Sequence, residues 1–177
     1  RGVTDFNLTV YGPRRELHSG HYGNWAPNPA MMLAQLVASM KDADGRVLVK
    51  GFYDGVEPLG QAERRAMSEE PPIDGELRRE LWLGRTENAP RKLIDVINEP
   101  ALNIRGLESA AVGAGSRNAI PAVATASIDI RLVKGNDPRA MLEKVKAHIR
   151  AQGYFVVDNR EATQTERMTH PRVARIE

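Results

Sequence analysis

The 177-residue chain reads as an α+β domain of the split ferredoxin-like kind. That plan is a four-stranded antiparallel sheet with two helices on one face, here interrupted by an inserted helical segment. Three observations predict it. Residues 5–11 and 122–133 alternate apolar and polar side chains, which suits a sheet buried on one face only. Asn28-Pro29 and Asp137-Pro138 each place a capping side chain before a proline, and each opens a stretch of helical periodicity. With residues 46–99 set aside as the insertion, the order is strand, helix, strand, strand, helix, strand.

The first strand puts Phe6, Leu8 and Val10 on one face and Asp5, Asn7 and Thr9 on the other. A loop over 17–24 follows, punctuated by Gly20 and Gly23 and carrying His18 and His21. A strand, a glycine-rich loop and a helix start together present polar chemistry at the edge of a fold. From spacing alone, His18 suits either a chemical role or a hydrogen bond within its own turn. Residues 29–41 form the first helix, with Leu33, Leu36, Val37 and Met40 as its buried stripe. The turn at 42–45 ends it.

The insertion opens with a short strand at 46–50 and a loop over 51–60. Two charged surface helices, 61–69 and 75–83, flank Pro71-Pro72, and Leu77, Leu81 and Trp82 could bury the second one. The segment is too long for a plain connection. A strand resumes at Leu102–Leu107, and 113–118 turn the chain. The long strand 122–133 then sets Ala124, Ala126, Ile128, Ile130 and Leu132 against Thr125, Ser127, Asp129 and Arg131. Met141, Leu142, Val145 and Ile149 stripe a second helix that ends at Gly153, and 154–157 form the last strand.

Composition narrows the function. Apolar residues are 41% and charged residues 27%, an ordinary water-exposed balance, and no apolar run approaches the roughly 20 residues of a membrane span. A formal charge of +2 is too weak an excess to indicate a nucleic-acid partner. The polar strand faces carry Tyr11 as their one aromatic, against the stacking platforms of RNA readers. There are no cysteines, which excludes disulfides and thiolate metal sites and fits a cytoplasmic setting. No charged-then-apolar leader opens the chain, so no signal peptide is expected. Glu69-Glu70 sits in a charged surface helix and reads as solvated.

Five stretches, in order, resemble the lid or dimerisation domain of the carnosinase and aminoacylase family of di-zinc peptidases. They are His18-Ser19-Gly20 with Asn28-Pro29, Val49–Asp54 with Glu57-Pro58-Leu59, Leu102–Leu107, Ala119-Ile120-Pro121, and Ser127–Val133. The resemblance implies a lid over residues 1–160, with 46–99 as insertion, and a return toward a catalytic domain over 161–177. It implies a homodimer joined through the lids, and two zinc ions held by that catalytic domain. The chain itself has no pattern of metal ligands, so no metal site and no activity are expected of it alone. His18 matches the lid histidine that reaches the partner subunit's active site and helps bind the oxyanion. Asn118 occupies the place of a substrate-contacting residue, where the carnosinase branch has threonine. Arg131 matches an arginine that binds the substrate carboxylate, a task suited to its planar fork. His21 matches nothing in the pattern. The substrate implied is a dipeptide or N-acyl amino acid. The alternatives are a stand-alone ferredoxin-like ligand-binding module and a purely structural dimeriser.

Overall fold

The computed structural model describes residues 1–177. In chain order the elements are β1 (Gly2–Tyr11), β2 (Leu17–His18), α1 (Ser19–Tyr22), α2 (Pro29–Ala38), α3 (Gln61–Glu69), α4 (Asp74–Glu80), α5 (Leu93–Val96), β3 (Ala101–Glu108), β4 (Ala119–Ile120), β5 (Val123–Leu132), α6 (Pro138–Ala151), β6 (Phe155–Asp158), α7 (Gln164–Thr169) and β7 (Val173–Ile176).

The two alternating strands pair antiparallel along their whole length, from Gly2↔Leu132 to Tyr11↔Val123. The register sets Phe6 beside Ile128, Leu8 beside Ala126 and Val10 beside Ala124, so one sheet face is apolar. Both helices cover that face. Leu33 and Leu36 of α2 and Met141, Val145 and Ile149 of α6 join the strand residues in one core cluster. Asn28 and Asp137 cap these helices through their side-chain oxygens, as the cap-then-proline pairs predict. The opposite face is a layer of side-chain hydrogen bonds, with Thr9 to Thr125 at 3.0 Å and Ser127 donating to Asn7 at 2.7 Å.

The sheet departs from the four-stranded antiparallel expectation. It has five strands in the order β3-β5-β1-β7-β6, and the β6–β7 pair is parallel. The added strand comes from residues 161–177, which pack back onto the domain. β7 lies between β1 and β6, with Ala174 and Ile176 beside Val10 and Leu8. Ala174 is fully buried and Ile176 nearly so. The slot beside β1 offers unpaired backbone groups, and the backbone of Val173–Ile176 pairs with them while Ala174 and Ile176 add apolar side chains to the core. Parallel neighbours need a crossover, and α7 provides it.

The insertion differs as well. Residues 46–50 form no strand beyond a single Lys41–Val47 bridge, yet Val47, Val49 and Phe52 are buried in the core. The second charged helix stops at Glu80, and Leu81 and Trp82 are exposed rather than buried. From Tyr53 to Glu99 no side chain is buried, so this region is held largely by polar contacts such as Arg91–Glu99 and Lys41–Glu87.

Candidate functional site

Beyond Tyr11 and Val123 the ladder is extended by one bond, Gly12 N–H to Ala122 O at 2.8 Å. Gly12 is needed there, since an added Cβ would lie 2.5 Å from Cδ of Pro29 at the start of α2. The two chains then re-pair as the short ribbon β2–β4, with Leu17 opposite Ile120 and His18 opposite Ala119. One step further, the Ser19 amide donates to the carbonyl of Asn118 at 2.9 Å. His18 and Asn118, far apart in sequence, therefore end on one ribbon, and both side chains are exposed. An ion pair between Glu16 and Arg117 at 2.9 Å also links the two segments of the ribbon.

His18 is also the N-cap of α1. Its backbone is extended, and its Nδ1 accepts a hydrogen bond from the Gly20 amide at 3.1 Å. The hydrogen bond within its own turn and an exposed ring are thus both present. His21, which had no expected role, sits with its ring centroid 4.7 Å from that of His18. Tyr22 and Trp25 continue the line of rings, with 79% of Trp25 exposed.

Arg131 stands elsewhere. It lies at the opposite end of β5, between Val3 of β1 and Ala101 of β3. Eight residues separate it from Val123, about 27 Å at the rise of an antiparallel strand. Its Nε is 2.8 Å from Oδ2 of Asp129, a buried carboxylate whose Oδ1 accepts from Asn103 at 3.0 Å. Burial, and then the charge of Arg131, push the nearby Arg1 guanidinium below its ordinary value. Arg1 and Arg131 therefore share this end of the sheet, where Asp129 offsets part of their charge. The role of Asp129 went unread in the sequence. Its signal was an acid two residues before the arginine, hence on the same strand face.

No group of three or more His, Cys, Asp or Glu side chains converges anywhere in the chain, so its residues do not fit a zinc site. No helix is long and apolar enough to cross a membrane.

The chain is 27% identical over 156 residues to the Cys-Gly metallodipeptidase DUG1 of Candida albicans, covering 86% of this chain and 32% of that protein. It is 28% identical over 186 residues to human Beta-Ala-His dipeptidase, covering 100% of this chain and 36% of that protein. Among solved structures, an M20 family metallo-carboxypeptidase from Sulfolobus solfataricus superimposes with a TM-score of 0.76 at 30% identity, over 86% of this chain and 40% of that one. The chain thus spans about a third of the length of the curated relatives it matches. The family model for a peptidase dimerisation domain matches residues 1–155. The chain belongs to the peptidase dimerisation domain family.

Proposed function

We propose that this chain is the lid and dimerisation domain of a cytoplasmic metallopeptidase that hydrolyses dipeptides or N-acyl amino acids. His18 works in the active site of the partner subunit of a homodimer. The observation that carries the reading is a separation. His18 and Asn118 share one ribbon, and Arg131 lies about 27 Å along β5 from its start. An extended dipeptide spans about 7 Å. His18 and Arg131 of one chain cannot hold the same substrate. In a two-fold dimer each site can draw His18 and Asn118 from one subunit and Arg131 from the other.

In this reading His18 donates a hydrogen bond to the oxyanion, Asn118 lines the pocket, and Arg131 grips a substrate carboxylate. Asp129 holds the Arg131 guanidinium from below. The metallodipeptidase relatives imply a metal cofactor; in this reading it would be two zinc ions held by the catalytic domain, which would polarise the scissile amide. Their ligands come from outside these residues, so the chain alone turns over no substrate.

The test mixes two inactive full-length enzymes, one carrying His18→Ala and the other a metal-ligand knockout. Mixed dimers then contain one complete site. Random exchange in equal amounts should restore about a quarter of wild-type activity, since half the dimers are mixed and each has one working site. Activity at the floor of the two parents, with exchange confirmed by mass, would mean that His18 serves its own chain or no site at all.

A further inference from the structure

We infer that Gly20 is a positioning residue that fixes the proton of neutral His18 on Nε2, so that the exposed edge of the ring is a hydrogen-bond donor. The inference rests on the oxyanion role proposed for His18, and it names what prepares the ring for that role.

A neutral imidazole carries one N–H, and the tautomer follows the bond made by the other nitrogen. Here the Gly20 amide donates to Nδ1 at 3.1 Å. Nδ1 must then present its lone pair, which leaves the proton on Nε2. In the other tautomer two donors would face each other across the same gap. An oxyanion needs a donor already in place when charge develops, because a group oriented in advance pays no reorganisation at that moment.

The backbone around the ring is held on both sides. The Ser19 amide is engaged by Asn118, and the Gly23 amide donates to the Ser19 carbonyl at 2.8 Å, closing α1 over the glycine. What a side chain at position 20 would meet is the His18 ring itself. An added Cβ would stand 2.9 Å from His18 Cε1 and 3.1 Å from Nδ1. A larger residue there would push the exposed ring aside and weaken the bond that sets the tautomer. A glycine two residues after the histidine therefore serves the imidazole, although its own φ is not in the left-handed region.

The experiment is long-range proton–nitrogen correlation on full-length enzyme labelled with 15N-histidine. His18 is assigned by its loss in His18→Gln, and spectra are taken at a pH where the ring is neutral. Wild type should show His18 as a single Nε2–H tautomer. Gly20→Ala should show a mixture of the two, with turnover down at least about tenfold, a fraction of the 10²–10³ that loss of an oxyanion donor costs. The Michaelis constant should change little. A wild-type spectrum in which His18 carries its proton on Nδ1 overturns the proposal without recourse to any variant. So does a Gly20→Ala enzyme with an unchanged tautomer. The spectrum reads the proton whether or not His18 meets a substrate. Full turnover in His18→Ala, beside the expected spectrum, would instead remove the oxyanion reading beneath it, and with it the catalytic purpose assigned to Gly20.

Discussion

Asp129 and Arg131 stand on the same face of β5 with 2.8 Å between Oδ2 and Nε, yet one side chain is 2% exposed and the other 53%. The buried acid thus holds a cation whose outer edge meets solvent. Removing the charge at 131 should strand the carboxylate with Asn103 as its remaining partner. Arg131→Met should destabilise the domain by about 1–3 kcal/mol, toward the lower end because about half of the Arg131 side chain is exposed to water. Urea unfolding checks it.

Arg131→Lys should separate charge from shape. Lysine keeps the positive charge and loses the two-pronged fork. If Arg131 binds a carboxylate in ground and transition states alike, the Michaelis constant of the full enzyme rises more than turnover falls. Unchanged kinetics would return Arg131 to an ordinary exposed strand residue.

The fifth strand should carry measurable stability. Ile176 is 2% exposed and packs beside Leu8. Ile176→Ala should cost about 2–5 kcal/mol. Met168, 80% exposed on α7, is the control, and Met168→Ala should stay within about 0.5 kcal/mol. Equal, small losses would show that a four-stranded sheet suffices.

His148 should give stability a slope near neutral pH. Its Nε2 lies 2.9 Å from Ser39 Oγ, which itself donates to the Leu36 carbonyl at 2.7 Å. The hydroxyl has one proton, so His148 donates, and the pair joins α6 to the end of α2. Burial holds this imidazole below its ordinary value. The unfolded chain therefore binds the proton more readily. The contribution is complete above about pH 6.5 and is lost as pH falls toward the folded value. Urea midpoints between pH 8 and 5 should fall on acidification, and His148→Gln should flatten that fall.

Self-association should be visible by sedimentation of the domain at tens of micromolar. β3 is an outer strand of the sheet, and Leu107 on it is 61% exposed. Such an edge must be paired or covered. Leu107→Glu should weaken the dimer. A strict monomer in the unmodified domain would mean that the insertion shields the edge or that the rest of the enzyme is needed.

Where the sequence was legible, the signals were local and repeated. The ten-residue alternation of Val123–Leu132 and the caps at Asn28 and Asp137 each survive in the fold. So does the one-sided core. The strand expected at 46–50 did not form, because five residues make no strand where no neighbour offers a ladder, although Val47 and Val49 are buried in the core. Leu81 and Trp82 fail for a related reason, since apolar residues at helical spacing bury themselves only if another surface faces them.

Sequence by itself determined the elements that carry the core, and it marked the glycine-punctuated stretch that bears His18, which folds as β2 and α1 rather than as a loop. Each rests on residue type and short-range period, which the chain states wherever it folds. Tertiary structure alone decided which elements became neighbours. It placed Val173–Ile176 between β1 and β6, because a four-residue segment carries too little pattern to name its partners and only the finished sheet shows which edge is free. It brought Ser19 to Asn118 across most of the domain, and it set Arg131 at the far end of the strand that follows. Those distances depend on the register of strands far apart in sequence, and register is settled by the packing of a whole face.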